Sequence, residues 1–430
     1  MLGVLSQIKE NLLSIIKPST KKEFIVGYQG NKWNSKAITL TDEEVSKCVL
    51  IVGSNGLGQQ FKYFYPTMDK ITGSFIVVDD GRHYEMSKGI RKNIDEKILK
   101  FDITDDKSGK FNWIPLCKNC PGLAYRIAEV CLFERSEEAV GFHKNLTAQL
   151  LALIWIHCSS LENPMPKTAY KLICETSALE LMEILSKSTN PFLIKRLGLL
   201  QTVNIEVIEG YLSLIKGKLD WLAKEEVVSF TNTTEIIDFR RLREEKIGVN
   251  LSVITDIINE PVNALTSKLS RIILTCALRE LMQYSKGKRV YLFVRYLTDL
   301  SYLSYLSELE ILVKNNISLI GCLQSFIDPF LSTYGEAQTK HILSNFHSKI
   351  FLEKHIVDGF VSYLSTEETI LVEKEKQKEA QAQKDRLELV EKKMSYRRSL
   401  MMFDFHYPEH FVLVNGREPF VVEFPNSKLR

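Results

Sequence analysis

The chain has 430 residues, 45% hydrophobic and 25% charged, enough to bury a sizeable core and to divide into two or three domains. Lys and Arg outnumber Asp and Glu by only 56 to 53, too small an excess to demand a nucleic-acid or anionic-membrane partner on electrostatic grounds. The longest apolar run, Leu150 to Ile156, has seven residues against about 20 for a helix crossing a hydrocarbon core, so no transmembrane segment is expected.

Residues 1–19 carry Leu5, Ile8, Leu12, Ile15 and Ile16 between polar residues, the spacing of an amphipathic helix that docks on the protein or rests on a membrane surface. Residues 20–116 alternate short β-rich runs with loops: Phe24 to Val26, Cys48 to Val52, Phe75 to Val78 and Lys97 to Phe101. That is the first part of an α/β domain.

Over 117–225 the pattern changes to helical period, with Leu146, Leu150, Leu153 and His157 on one face and Leu179, Met182 and Leu185 on another. It predicts an all-helical insert of four to six helices. Residues 226–371 return to β-rich runs: Val227 to Phe230, Gly248 to Ile254, Val290 to Val294 and Ile317 to Leu323, with a buried helix over Val262 to Tyr284. Residues 372–398, dominated by Glu, Lys, Gln and Arg, predict an exposed helix. In 399–430, Asn415-Gly416 stands between two β-rich runs, the signature of a type I′ hairpin.

The eight cysteines sit mostly in apolar segments with no secretion signal before them, so reduced thiols and a cytoplasmic compartment are expected. Cys117 and Cys120 have the spacing of half a zinc site, with Cys131 and His143 to complete it. There is no second close ligand pair, and no metal site is expected.

The run Val49 to Val52 leads into Gly53-Ser54-Asn55-Gly56-Leu57-Gly58 and a helix-like stretch, the strand, glycine-rich loop and helix order of a phosphate-binding loop. A working loop continues with Lys, to neutralise the β and γ phosphates, and Ser or Thr, to hold magnesium. Here Gln59 and Gln60 stand instead. A glutamine amide donates hydrogen bonds but brings no charge, so phosphoryl transfer is weakened while nucleotide binding through loop amides stays open. On this segment alone, a plain tight turn explains the glycines equally well.

From about residue 20 to 425 the chain resembles the coupling proteins of type IV secretion and conjugation, of the TraD and TraG type. Pro66 follows the loop. Gly73 to Asp79 resembles the second strand with its terminal Asp, and Tyr84 the aromatic beyond, while the family's D-P-K-G-E is reduced to Asp79-Asp80-Gly81-Arg82. Phe111-Asn112 with Pro115-Leu116 is similar to F-N-P-L, interrupted by Trp113 and Ile114. Gln324-Ser325, Tyr334-Gly335 and Ile342-Leu343-Ser344-Asn345 look like the landmarks after the last core strand.

The resemblance implies a RecA-like nucleotide-binding α/β sheet with an inserted all-α domain and a C-terminal β-hairpin. It also implies a strand ending in Asp-Glu, the magnesium-positioning and water-activating acids; at those positions stand Arg295 and Tyr296. The family's hexamers use an arginine from a neighbouring subunit, and Gly335 to Phe351 contains none.

The expected function is therefore an oligomeric coupling-protein-like component, inactive in ATP hydrolysis. It would be recruited to the inner face of the cell membrane, where it engages DNA or secreted protein and an active ATPase relative. ATP and magnesium remain open as ligands. The alternatives are an active DNA-stimulated hexameric motor using Lys62, Asp79 or Asp80, and a protein-interaction scaffold without DNA contact. Arg240, Arg241, Arg243, Arg397 and Arg398 are the candidate DNA contacts, against the plainer reading of solvated charge.

Overall fold

The structure is a computed structural model that describes residues 24–29, 36–53, 73–80, 84, 97–245, 247–253, 260–324, 327–352, 356–360, 363–364, 369, 372–374, 377–378, 381, 409–414, 417 and 420–423. Its strands are β1 (Phe24–Gln29), β2 (Lys36–Leu40), β3 (Val49–Gly53), β4 (Ser74–Asp79), β5 (Lys97–Phe101), β6 (Ile247–Ser252), β7 (Val290–Val294), β8 (Ile317–Gln324), β9 (Ser348–Phe351), β10 (Glu409–Val414) and β11 (Phe420–Glu423). They make one sheet in the order β2-β1-β11-β10-β9-β3-β8-β7-β4-β6-β5. From β9 to β5 every pairing is parallel, and from β9 back to β2 every pairing is antiparallel.

The parallel strands are short apolar runs because both their faces are covered. In β4, Ile76 and Val78 enter the larger core while Phe75 and Val77 enter the smaller one. In β7, Leu292 and Val294 divide from Tyr291 and Phe293 in the same way.

The described helices are α1 (Asp42–Ser46), α2 (Pro121–Leu132), α3 (Phe142–Cys158), α4 (Pro166–Glu175), α5 (Ala178–Ser186), α6 (Pro191–Gln201), α7 (Ile205–Lys218), α8 (Glu225–Thr231), α9 (Arg241–Glu244), α10 (Glu260–Gln283), α11 (Leu309–Lys314), α12 (Asp328–Tyr334), α13 (Glu336–Ser344) and α14 (Ile356–Phe360). None of them is long and apolar enough to cross a membrane.

The helical insert runs from α2 to α8. Its helices start where the sequence supplies starters: proline in the first turn of α2, α4 and α6, a Ser177–Glu180 capping box on α5, and Asn190 and Asn204 as N-caps of α6 and α7. Its core is continuous with the larger core of the sheet. Trp113 is the junction, stacked on Trp221 at 6.4 Å and edge-on to Trp155 at 6.3 Å.

Asn112 stitches the insert together. Its side-chain amide donates to the carbonyls of Pro164 at 2.9 Å and Thr233 at 3.2 Å, while its oxygen accepts from the Ile114 amide. Trp113 and Ile114, which interrupt the F-N-P-L-like motif, are the residues that fill the core beneath it.

Two expectations are corrected. Val227 to Phe230 is not a strand but part of α8, because Val227, Phe230 and Thr231 bury one helical face and the Thr231 hydroxyl donates to the Val227 carbonyl. Tertiary packing overrides the strand preference of two valines, and the helical run extends to Thr231 rather than ending at 225.

The C-terminal pair is antiparallel as expected, and the Arg417 amide donates to the Val414 carbonyl at 3.0 Å across Asn415-Gly416. The ladder, however, pairs Val412 with Phe420, one residue out of step with a two-residue loop. The hairpin also does more than close on itself: β10 pairs with β9 and β11 with β1, so it splices the N-terminal strands onto the parallel sheet.

The expected helix at 1–19 lies outside the described residues, as do Asn415 and Gly416. Of 372–398, residues 372–374, 377–378 and 381 are described and are helical.

Candidate functional site

In an open parallel sheet, ligands bind beyond the carboxyl ends of the strands. Here that edge is made by the ends of β3, β8, β7 and β4, in that spatial order. Gly53 ends β3 and is the register partner of Gln324, which ends β8. One strand further, Val294 of β7 pairs with Val78 of β4, and the chain continues into Arg295 beside Asp79 and Asp80.

Gly53 has a structural reason to be glycine. A Cβ there would stand 2.6–2.8 Å from the side chain of Leu352, whose amide donates to the Val52 carbonyl. Ser54 to Gln60, the rest of the expected phosphate loop and the two glutamines that follow it, lie outside the described residues, as do Pro66 and Ser325.

Arg295 is 5% exposed. Its backbone amide continues the ladder to the Val78 carbonyl at 2.9 Å, which aims its side chain along the strand edge. There it forms an ion pair with Asp80, both side chains being almost fully buried, and its guanidinium lies 4.9 Å over the ring of Tyr296. Burial alone would depress the guanidinium's pKa, but the Asp80 carboxylate and Tyr296 together more than offset this and hold it above its ordinary value. Among the described residues, the edge of β7 thus offers a divalent ion no free acid: a guanidinium cannot be a metal ligand, and the Asp80 carboxylate is already engaged by it. Tyr296 is buried beside it.

Asp80 as the partner of Arg295 was not legible in the sequence. An Arg at one strand end and an Asp at another become a pair only when β4 and β7 are neighbours.

The landmarks after β8 are architectural. The hydroxyl of the buried Tyr334 donates to the Ser301 carbonyl and accepts from the Leu303 amide, both at 3.0 Å, fixing the loop that follows β7. Gly335, at φ +72°, makes the turn between α12 and α13 that a side chain would strain. Ile342 and Leu343 are core residues.

The expected DNA contacts separate. Arg243 is corrected: it is 3% exposed, and its two terminal nitrogens donate to the carbonyls of Leu281, Lys288, Asn315 and Asn316. Leu281 and Asn315 lie at the C-terminal ends of α10 and α11, which carry partial negative charge, while Lys288 and Asn316 belong to the loops leading into β7 and β8, so Arg243 caps two helix ends and ties down two loops. Arg240 is exposed, forked onto Asp238 at 2.6–2.7 Å and lying 5.0 Å over the Tyr284 ring. Arg241 is exposed and forked onto Glu245 at 2.7 Å. This group precedes β6 and so lies at the opposite edge of the sheet from Gly53 and Arg295. Arg397 and Arg398 lie outside the described residues.

Cys117 is buried, with its thiol donating to the Trp113 carbonyl at 3.5 Å, and Cys120 is the N-cap residue of α2. Among the described residues no three His, Cys, Asp or Glu side chains cluster as metal ligands.

No protein-family model matches this sequence, and no curated protein matches it by sequence. Solved structures do match. The bacterial conjugative coupling protein TrwB is similar at TM-score 0.51 and 14% identity over 79% of this chain and 76% of that one. TrwB in complex with a non-hydrolysable ATP analogue is similar at the same score and identity over 82% and 81%. VirB4 of Thermoanaerobacter pseudethanolicus is similar at TM-score 0.54 and 13% identity over 94% and 96%. At such identities the likeness speaks for the fold. The chain has the RecA-like α/β fold of these proteins, with a mostly parallel sheet, a helical insert region and a C-terminal antiparallel pair.

Proposed function

We propose that this chain is a component of a type IV secretion or conjugative transfer apparatus that has lost ATP hydrolysis. In this reading it acts as a non-hydrolysing relative of the coupling proteins, recruiting DNA or protein substrate or assembling with an active ATPase. The fold it shares with TrwB and VirB4 supports the kinship. The observation that carries the loss of hydrolysis is the Arg295–Asp80 pair, a buried cation where the resembled family places its metal-positioning acid. Gln59 and Gln60, in place of the phosphate-binding Lys and the magnesium-binding hydroxyl, point the same way.

The test is nucleotide binding and DNA-stimulated ATP turnover by the purified chain, compared with a variant carrying Gln59→Lys, Gln60→Thr, Arg295→Asp and Tyr296→Glu. The natural chain is expected to be inert with magnesium and ATP, and the variant to gain nucleotide binding. Turnover by the natural chain would restore the motor reading.

A further inference from the structure

The helical insert leaves much apolar surface uncovered. Of the thirteen large apolar side chains exposed among the described residues, ten lie in the insert, between Val140 and Leu214. Single exposed apolar residues are ordinary, but on α6 they are organised. Leu193, Leu197 and Leu200 face the core, while Phe192 and Leu199, 48% and 50% exposed, lie seven positions apart on the outer surface with Lys195 and Arg196 between them. An α-helix places residues at i, i+3, i+4 and i+7 on one stripe. The outer stripe of α6 is therefore a second amphipathic face, apolar at its ends and basic in its middle.

That stripe borders a groove of about 500 Å³ between α2, α3 and α6, floored by Leu153 and Ile156 and edged by Phe192, Lys195 and Arg196. Gln149 lines it as well, and its side-chain oxygen is buried without a hydrogen-bond donor. Among the described residues neither Lys195 nor Arg196 has a carboxylate within ion-pair distance.

The geometry points to a docking site for an acidic amphipathic helix of a partner protein. Such a helix would set apolar side chains on Phe192 and over Leu153 and Ile156, and place carboxylates against Lys195 and Arg196. The apolar floor selects a peptide over a nucleic-acid backbone, which would need cations along its track rather than leucine and isoleucine. The cations select an acidic peptide over a basic one. This inference needs only the insert and stands whether or not the chain hydrolyses ATP.

The test uses the full chain and a fluorescein-labelled synthetic helical peptide with leucines at i, i+3, i+4 and i+7 flanked by glutamates. Its counterpart carries lysine for every glutamate, and a labelled single-stranded oligonucleotide serves as a third probe. Polarisation should show binding of the acidic peptide alone, weakened by about tenfold or more in Lys195→Glu/Arg196→Glu and in Phe192→Ala. All three substituted residues are exposed, so circular dichroism and the melting temperature should be unchanged. Absence of acidic-peptide binding, equal binding of both peptides, or binding indifferent to these substitutions would overturn the assignment. So would oligonucleotide binding that the same substitutions abolish, because it would give the cations to nucleic acid.

Discussion

The two edges of the parallel sheet each bury an arginine, and they solve the same electrostatic problem differently. At the carboxyl edge Arg295 meets a carboxylate, Asp80, and its charge is held firmly. At the amino edge, among the described residues, Arg243 meets no carboxylate; four backbone carbonyls, two at the ends of α10 and α11 and two in the loops before β7 and β8, surround it, and burial pushes its pKa down to about 10. An ion pair is a two-body contact that another charge can replace. A guanidinium shared among four backbone carbonyls cannot be replaced without undoing the helix ends. The amino-edge arginine therefore belongs to the fold, and the carboxyl-edge arginine to the site.

The largest effect should come from breaking the amino edge. Arg243→Ala strands carbonyls at two helix termini, each buried polar group costing about 1–3 kcal/mol when unpaired, so a loss of roughly 4 kcal/mol is expected in urea unfolding. Arg243→Lys, with its single ammonium, should recover only part. A loss below about 1 kcal/mol would mean that water serves these carbonyls as well as the guanidinium does.

At the carboxyl edge, Asp80→Asn should cost about 3 kcal/mol by leaving a buried cation unpaired, whereas the double change Asp80→Leu/Arg295→Met should be within about 1 kcal/mol of the parent. That rescue distinguishes a replaceable pair from a cap. A double variant as unstable as the single would place the Arg295–Asp80 pair in the fold, as Arg243 is.

The smallest effects should come from the surface arginines of the amino edge. Arg240→Ala and Arg241→Ala should each leave the urea-unfolding midpoint essentially unchanged, since each removes an exposed pair. If they contact DNA phosphates, the slope of log affinity against log salt should fall by about one for each. An unchanged slope assigns them to solvated charge.

Much of the fold could be read along the chain. Runs such as Val290 to Val294 are apolar on consecutive positions and short, as strands covered on both faces ask, whereas the seven-residue run Leu150 to Ile156 sits in a longer helical period and is part of α3. The 24 residues of α10 announced themselves by period. Strand β9 did not: Ser348-Lys349-Ile350-Phe351 reads as half polar. Yet Lys349 is buried between β3 and β10, with its ammonium donating to the Phe346 carbonyl at 2.8 Å. Strand β2 was missed as well, since Lys36 to Leu40 makes an edge through pairing with β1 rather than through its own pattern.

At the candidate site, the substitutions at the resembled positions, Gln59, Gln60, Arg295 and Tyr296, were visible in the sequence, because residue identity alone tells whether a lysine or a carboxylate is present. Their consequences were not visible. Arg243 and Arg240 are three residues apart and looked alike, but the turn of α9 sends one inward beneath two helix ends and leaves the other in solvent.

The sequence by itself therefore determined the order of the main elements, the extent of the apolar runs and which chemical groups are absent. Those are properties of residue type and local period, and they need no distant partner. Only the tertiary structure decided that Asp80 neutralises Arg295, that Asn112 joins residues 164 and 233, and that the last hairpin splices the first strands onto the sheet. Each of these depends on segments far apart in the chain meeting at hydrogen-bond distance, and local sequence carries no record of which strand becomes whose neighbour.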